Sequence, residues 1–105
     1  MTDKILGLTT ASSKDEARKI GRVLVEGLLA ACVSIVPQVD SIYRWEGKIE
    51  EAEEWLLVVK TTRSAFERVR DAINELHSYD VPECISVAID EGSAEYLSWI
   101  GQSVK

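Results

Sequence analysis

The sequence predicts an α+β domain whose segments follow one another as strand, helix, strand, strand, helix, strand, with a short C-terminal helix. Three observations carry that prediction: two stretches with apolar residues three and four apart, four stretches whose apolar residues alternate or run on, and a polar break with a glycine joining two of the latter. At 105 residues the chain fits a single domain, 1–105, with one hydrophobic centre. Its 46% hydrophobic and 29% charged residues lie near the averages for globular chains, so it is expected to fold alone or with copies of itself.

Lys4 to Thr10 carries Ile5, Leu6 and Leu8 and ends in Thr9-Thr10, which suits a short first strand. Ser13-Lys14-Asp15-Glu16 reads as a capping box, the serine oxygen taking an orphan amide while the glutamate reaches back to the cap. Ala17, Ile20, Leu24, Leu28 and Ala31 then share one helical face, with Lys14, Arg18 and Arg22 on the other side. From Cys32 the period becomes two, Val33 and Ile35 on one face and Cys32, Ser34 and Val36 on the other. Pro37 lacks a ladder donor and predicts an edge, bend or bulge before the strand resumes from Val39 to Trp45.

Glu46-Gly47-Lys48 predicts a hairpin between Arg44-Trp45 and Ile49-Glu50. The returning strand ends in Trp55-Leu56-Leu57-Val58-Val59, apolar on both faces, which predicts a central strand covered on both sides. A second capping box, Ser64-Ala65-Phe66-Glu67, opens a helix with Phe66, Val69, Ile73 and Leu76 on one stripe, closing at His77 to Asp80. Cys84 to Ile89 alternates as a fourth strand, and Ser93 caps a last short helix bearing Tyr96, Leu97, Trp99 and Ile100.

Two βαβ-like halves joined by a hairpin describe a ferredoxin-like sandwich, an antiparallel sheet with both helices on one face. Apolar residues on the other face, such as those of the Trp55 to Val59 run, would form a patch too large for a stable monomer, so self-association is expected. A formal charge of −6 repels phosphate backbones and argues against nucleic acid as the main partner. No window approaches the roughly 18 apolar residues of a membrane helix, and the first residues lack a basic-then-apolar signal layout, so no membrane partner and a cytoplasmic location are expected. Cys32 and Cys84 form neither a spaced metal pair nor a disulfide framework and are read as reduced, packed thiols.

Chemistry is sparse. Glu50, Glu51, Glu53 and Glu54 could collect a hard cation, but charged edge strands are common and a solvated edge is the favoured reading. His77 is the sole histidine and sits at a helix end, where a charged ring would suit the dipole; as a metal ligand or base it would need partners. No G-x-S-x-G nucleophile, glycine-rich phosphate loop or C-x-x-C pair occurs, so an enzyme is not expected.

Ala30-Ala31-Cys32-Val33, Tyr43-Arg44-Trp45-Glu46-Gly47-Lys48-Ile49, Glu54 followed by Lys60-Thr61, and Tyr96-Leu97-Ser98-Trp99-Ile100 together resemble the CutA family of divalent-cation tolerance proteins. The resemblance runs from the first strand to the last helix. It implies a PII-like homotrimer that responds to metal ions and binds copper(II) or another divalent cation. Carried over residue by residue, it implies metal-binding roles for Cys32, His77 and Glu54, and small-molecule contacts at Lys48, Lys60, Tyr79 and Trp99. His77-Ser78-Tyr79-Asp80 stands where the family has His-Pro-Tyr-Glu, so this loop lacks the proline and its acid is one methylene shorter. Some relatives place a cysteine where this chain has Thr9, which would weaken a copper site that needed the thiol. Copper(II) prefers imidazole, so His77 is expected to dominate any copper affinity. A different expectation is a PII-like sensor of a small anionic metabolite in the cleft between subunits, with Lys48 and Lys60 as counter-charges; a third is an enzyme using His77 and Tyr79.

Overall fold

Alternation and helical periodicity sort the chain into β1 (Lys4–Ala11), α1 (Lys14–Glu26), β2 (Cys32–Trp45), β3 (Lys48–Thr62), α2 (Phe66–Leu76), β4 (Ile85–Ala88) and α3 (Ala94–Ser103). The structure is a computed structural model and describes residues 2–105. The four strands form one antiparallel sheet in the order β2-β3-β1-β4, the ferredoxin-like arrangement. Among the described residues no helix is long and apolar enough to cross a membrane.

The start of α1 follows the sequence closely. Ser13 accepts the Glu16 amide, while the Glu16 carboxylate reaches back one residue beyond the cap, to the amide of Ser12 at 3.1 Å. The second capping box does not form: a single 3-10 turn at Arg63–Ala65 takes up Ser64, and α2 opens at Phe66 without a side-chain cap. The end of α1 also differs from expectation. The helix stops at Glu26, and Leu28, placed by periodicity on the core face, adopts φ 61° and is 46% exposed.

Two sheet faces result. Ile20 and Leu24 of α1 and Val69 and Ile73 of α2 pack onto Leu57 and Val59 of β3, with Val33, Ile35 and Trp55 at the margin of the same cluster. Trp55 therefore lies on the helix-covered face, and the run Trp55 to Val59 divides by alternation between the two faces. The open face is built from Leu6 and Leu8, Leu56, Val58 and Lys60, Cys32, Ser34 and Val36, and Ile85 and Val87, which stand opposite one another in register. Val36, Ile85 and Val87 are more than 40% exposed there, so β3 is central but covered by helices on one side only.

Pro37 does sit at a bulge on an edge strand. Val36 pairs with Leu56 and Val39 with Glu54, leaving Pro37 and Gln38 opposite Trp55 alone, with Gln38 at φ 56°. The extra residue reverses which side chains of β2 face which way. Beyond it the pairs from Val39–Glu54 to Trp45–Lys48 run past the end of β1, which stops at Ala11 opposite Trp55. This two-stranded arm makes the chain 44 Å long against 25 and 22 Å in the other directions. Its turn, Glu46-Gly47, has φ 51° and 79°, the two positive values of a type I′ hairpin. At the other end Ile100 of α3 is fully buried, and the Lys105 amide bonds the Leu28 carbonyl.

Candidate functional site

The segment after α2 wraps around the end of the sheet because His77 ties it there. The His77 amide closes α2 on the Ile73 carbonyl at 2.9 Å, and its fully buried ring sets Nε2 2.5 Å from the Thr10 carbonyl. Nδ1 accepts the Tyr79 amide at 3.1 Å, so Nε2 carries the proton and donates to Thr10. The ring is a structural clasp, both of its nitrogens engaged by backbone groups in this arrangement.

Glu16 completes the clasp from α1. Its carboxylate accepts the Ser78 amide at 2.9 Å as well as the amide and hydroxyl of Ser12. Burial works against its charge, but the bonds from Ser78 and Ser12 outweigh burial and hold the carboxyl at about 2. With the loop fixed, Tyr79 stacks near His77, ring centroids 4.6 Å apart, and donates its hydroxyl to Glu54 Oε2 at 2.6 Å. Burial and the Glu54 carboxylate both push the Tyr79 phenol above its ordinary range.

Between this loop and the β2–β3 arm lies a cleft of about 750 Å3. Four carboxylates line it, Glu50 and Glu54 from β3 and Asp80 and Glu83 from the loop, together with the rings of Tyr43, Trp45 and Tyr79. Neither lysine nor arginine lines it. Glu54 is the unusual member. It is only 6% exposed, Tyr79 satisfies one of its oxygens, and no cation pairs with it among the described residues. Its second oxygen is not among the buried atoms left without a partner, so Glu54 keeps one oxygen in reach of the cleft.

The residues picked out by the sequence fall into separate places. Glu54, Tyr79 and His77 come together as just described. Cys32 and Lys60 form a second group on the open face, Lys60 Nζ lying 3.7 Å from Cys32 Sγ and bonding Ser34 Oγ. Lys48 begins β3 at the tip of the arm, and Trp99 sits on α3, 42% exposed and against Tyr96 at 5.4 Å. Among the described residues no three of His, Cys, Asp and Glu stand close enough to hold a metal ion. Thr9 is fully buried with its hydroxyl unpartnered, pairs with Leu57 on the helix side and does not line the cleft. Tyr43, Trp45, Asp80 and Glu83 were not anticipated as site residues. Glu50 and Glu54 could have been joined by spacing alone, since residues four apart share a strand face.

The profile of the CutA1 divalent ion tolerance protein family matches residues 5–103. A relative from Thermus thermophilus, named divalent-cation tolerance protein CutA, is 48% identical over 96 residues, covering 91% of this chain and 93% of that one. A relative from Arabidopsis thaliana, named protein CutA, chloroplastic, is 40% identical over 101 residues, and its match covers 96% of this chain but 56% of the plant protein. The solved structure of the Thermus thermophilus divalent cation tolerance protein superposes with a TM-score of 0.95 at 45% identity, covering 97% of this chain and 99% of that one.

Proposed function

This chain belongs to the CutA1 divalent ion tolerance protein family, and on that premise we propose that it is a homotrimeric, non-catalytic protein that takes divalent cations into its acidic cleft. The observation that carries the reading is Glu54, 6% exposed, bonded once, unpaired by any cation among the described residues and facing a cleft with three further carboxylates and no basic residue. Oxygen ligands of this kind suit hard divalent ions that keep part of their water shell, since too few protein ligands converge to strip it. Copper(II) at His77 would require the ring to give up Thr10 or Tyr79, so carboxylates are the better anchor for copper as well. Lys48 and Lys60 lie outside this cleft, so a sensor of an anionic metabolite would bind elsewhere, where subunits meet. Two free thiols suit the cytoplasm, where cysteines stay reduced. Assembly is supported by the apolar open face and by the exposed Ile42 and Ile49 of the arm.

Calorimetric titration with magnesium, manganese, zinc and copper(II) tests the site. Glu54→Gln is expected to weaken binding at least about tenfold, a loss of roughly 1.4 kcal/mol, and an unchanged affinity would remove the cleft from consideration. His77→Gln is expected to lower stability more than metal affinity.

A further inference from the structure

We propose that the flank of α1 facing β2 is a docking site for a protein partner, and that the docking segment of that partner is an acidic amphipathic helix. The site lies apart from the acidic cleft and does not depend on what that cleft holds. A groove of about 310 Å3 runs there between α1 and the first half of β2. Its α1 wall is Arg18, Gly21, Arg22 and Val25, the three- and four-residue spacing of one helical stripe, and its β2 wall is Val33 and Ile35. Val33 and Ile35 belong to the helix-covered side of the sheet, so the groove opens away from the exposed face and the arm through which self-association is proposed.

Gly21 gives the groove its depth. Glycine is the poorest helix former after proline, and inside a helix it is normally demanded by a positive φ or a close approach. Neither applies at Gly21. It lies in the middle of α1, and a Cβ built on it would come no nearer than 3.4 Å to Val33 Cγ1 and 3.5 Å to Val33 Cβ, ordinary van der Waals contact. Alanine would therefore fit, would favour the helix, and would set a methyl against Val33 on the groove floor. The fold gains nothing from glycine at this position, whereas a side chain laid across α1 needs the room.

The rim sets the charge of the partner. Arg18 has no carboxylate within ion-pair distance among the described residues, and Arg22 pairs only with Glu26, at 2.9 Å, in an exposed contact that water weakens. Lys14, one turn before Arg18, extends the same basic stripe in a chain whose formal charge is −6. Carboxylates one turn apart on a partner would meet Arg18 and Arg22, while an apolar side chain beside them covers Val25, which is 39% exposed. A helix presents both kinds of group at such spacing, and a small hydrated anion would leave the apolar floor uncovered.

Fluorescence anisotropy on the full chain tests the proposal, the probe being a fluorescein-labelled helix of about 20 residues with glutamate and leucine set three and four apart. It is expected to bind with a Kd on the order of 100 μM, and a scrambled peptide of the same composition at least about fivefold more weakly. Exchanging every glutamate of the probe for lysine should abolish binding. Arg18→Gln should weaken the acidic helix at least about fivefold and flatten its salt dependence. Gly21→Ala should weaken it by a similar factor while the urea midpoint holds or rises, a combination that damage to the fold cannot produce. Absence of binding by the acidic helix at millimolar concentration overturns the proposal. Binding that survives both scrambling and Gly21→Ala is diffuse attraction to arginines and overturns it as well. Arg18-dependent binding to phosphatidylglycerol vesicles in preference to the helix would make this flank a membrane contact, and the protein partner would be wrong.

Discussion

Glu16 shows how one side chain can hold a site that it does not line. It stands in the first turn of α1, where a carboxylate suits the helix dipole, and its oxygens reach across to Ser12 and Ser78. Its folded value of about 2 lies below its ordinary 4.5, so it stabilises the fold fully above pH 4.5, and that contribution disappears as pH falls through 2. At about 1.4 kcal/mol per unit, the stake is on the order of 3 kcal/mol at neutral pH. Glu16→Gln is therefore expected to lower stability in urea by about 2–3 kcal/mol at pH 7, by progressively less below pH 4.5, and by almost nothing near pH 2. A difference that stayed constant with pH would place its effect in packing instead of charge. The sequence disclosed Glu16 only as half of a capping box. Its second role depends on Ser78, 62 residues away, which local spacing cannot report.

At the scale of elements, the strands were readable because alternation survives wherever pairing is regular, and the errors gather where backbone angles turn positive. The end of α1 is one such place. Leu29 and Leu28 donate to the Leu24 and Val25 carbonyls, the paired bonds of a Schellman ending whose left-handed position is normally glycine. Here Leu28 occupies it at φ 61°, while the glycine, Gly27, sits one residue early at φ −82°. Periodicity thus carried the helix one turn too far. Leu28→Gly is expected to raise stability by about 1 kcal/mol, since an L side chain in this region costs roughly 1–2 kcal/mol and the exposed leucine forfeits little packing. Equilibrium unfolding in urea measures it. The bulge at Pro37 and Gln38 matters more for function. Continued alternation from Val33 and Ile35 would put Tyr43 and Trp45 on the helix side, but the extra residue turns them to the face of Glu50 and Glu54. The proline announced an irregularity, and its consequence for the cleft required the register.

For the whole molecule, the division of the Trp55 to Val59 run decides which substitutions should dissociate the assembly and which should unfold it. Even-numbered Leu56 and Val58 face outward with Leu6, Leu8 and Val36, whereas Trp55, Leu57 and Val59 meet the helices. An open face of this composition is stable when a second copy covers it, and a fold that association stabilises unfolds at a denaturant concentration that rises with protein concentration. Val58→Asp is expected to leave secondary structure in place at low temperature while converting the proposed trimer, about 35 kDa, to monomers in sedimentation at micromolar concentration. Trp55→Asp should act differently, burying a charge against the α1–α2 core and costing several kcal/mol, so that helical circular dichroism is lost along with the assembly. The pair separates contact from core. If Val58→Asp sediments as the parent does, the open face is not where subunits meet, and the arm, with Ile42 and Ile49 at 69% and 60% exposure, becomes the contact to test next. If Trp55→Asp instead yields folded monomers, the face assignment of β3 is wrong, and with it the placement of Glu50 and Glu54 on the stripe that lines the cleft.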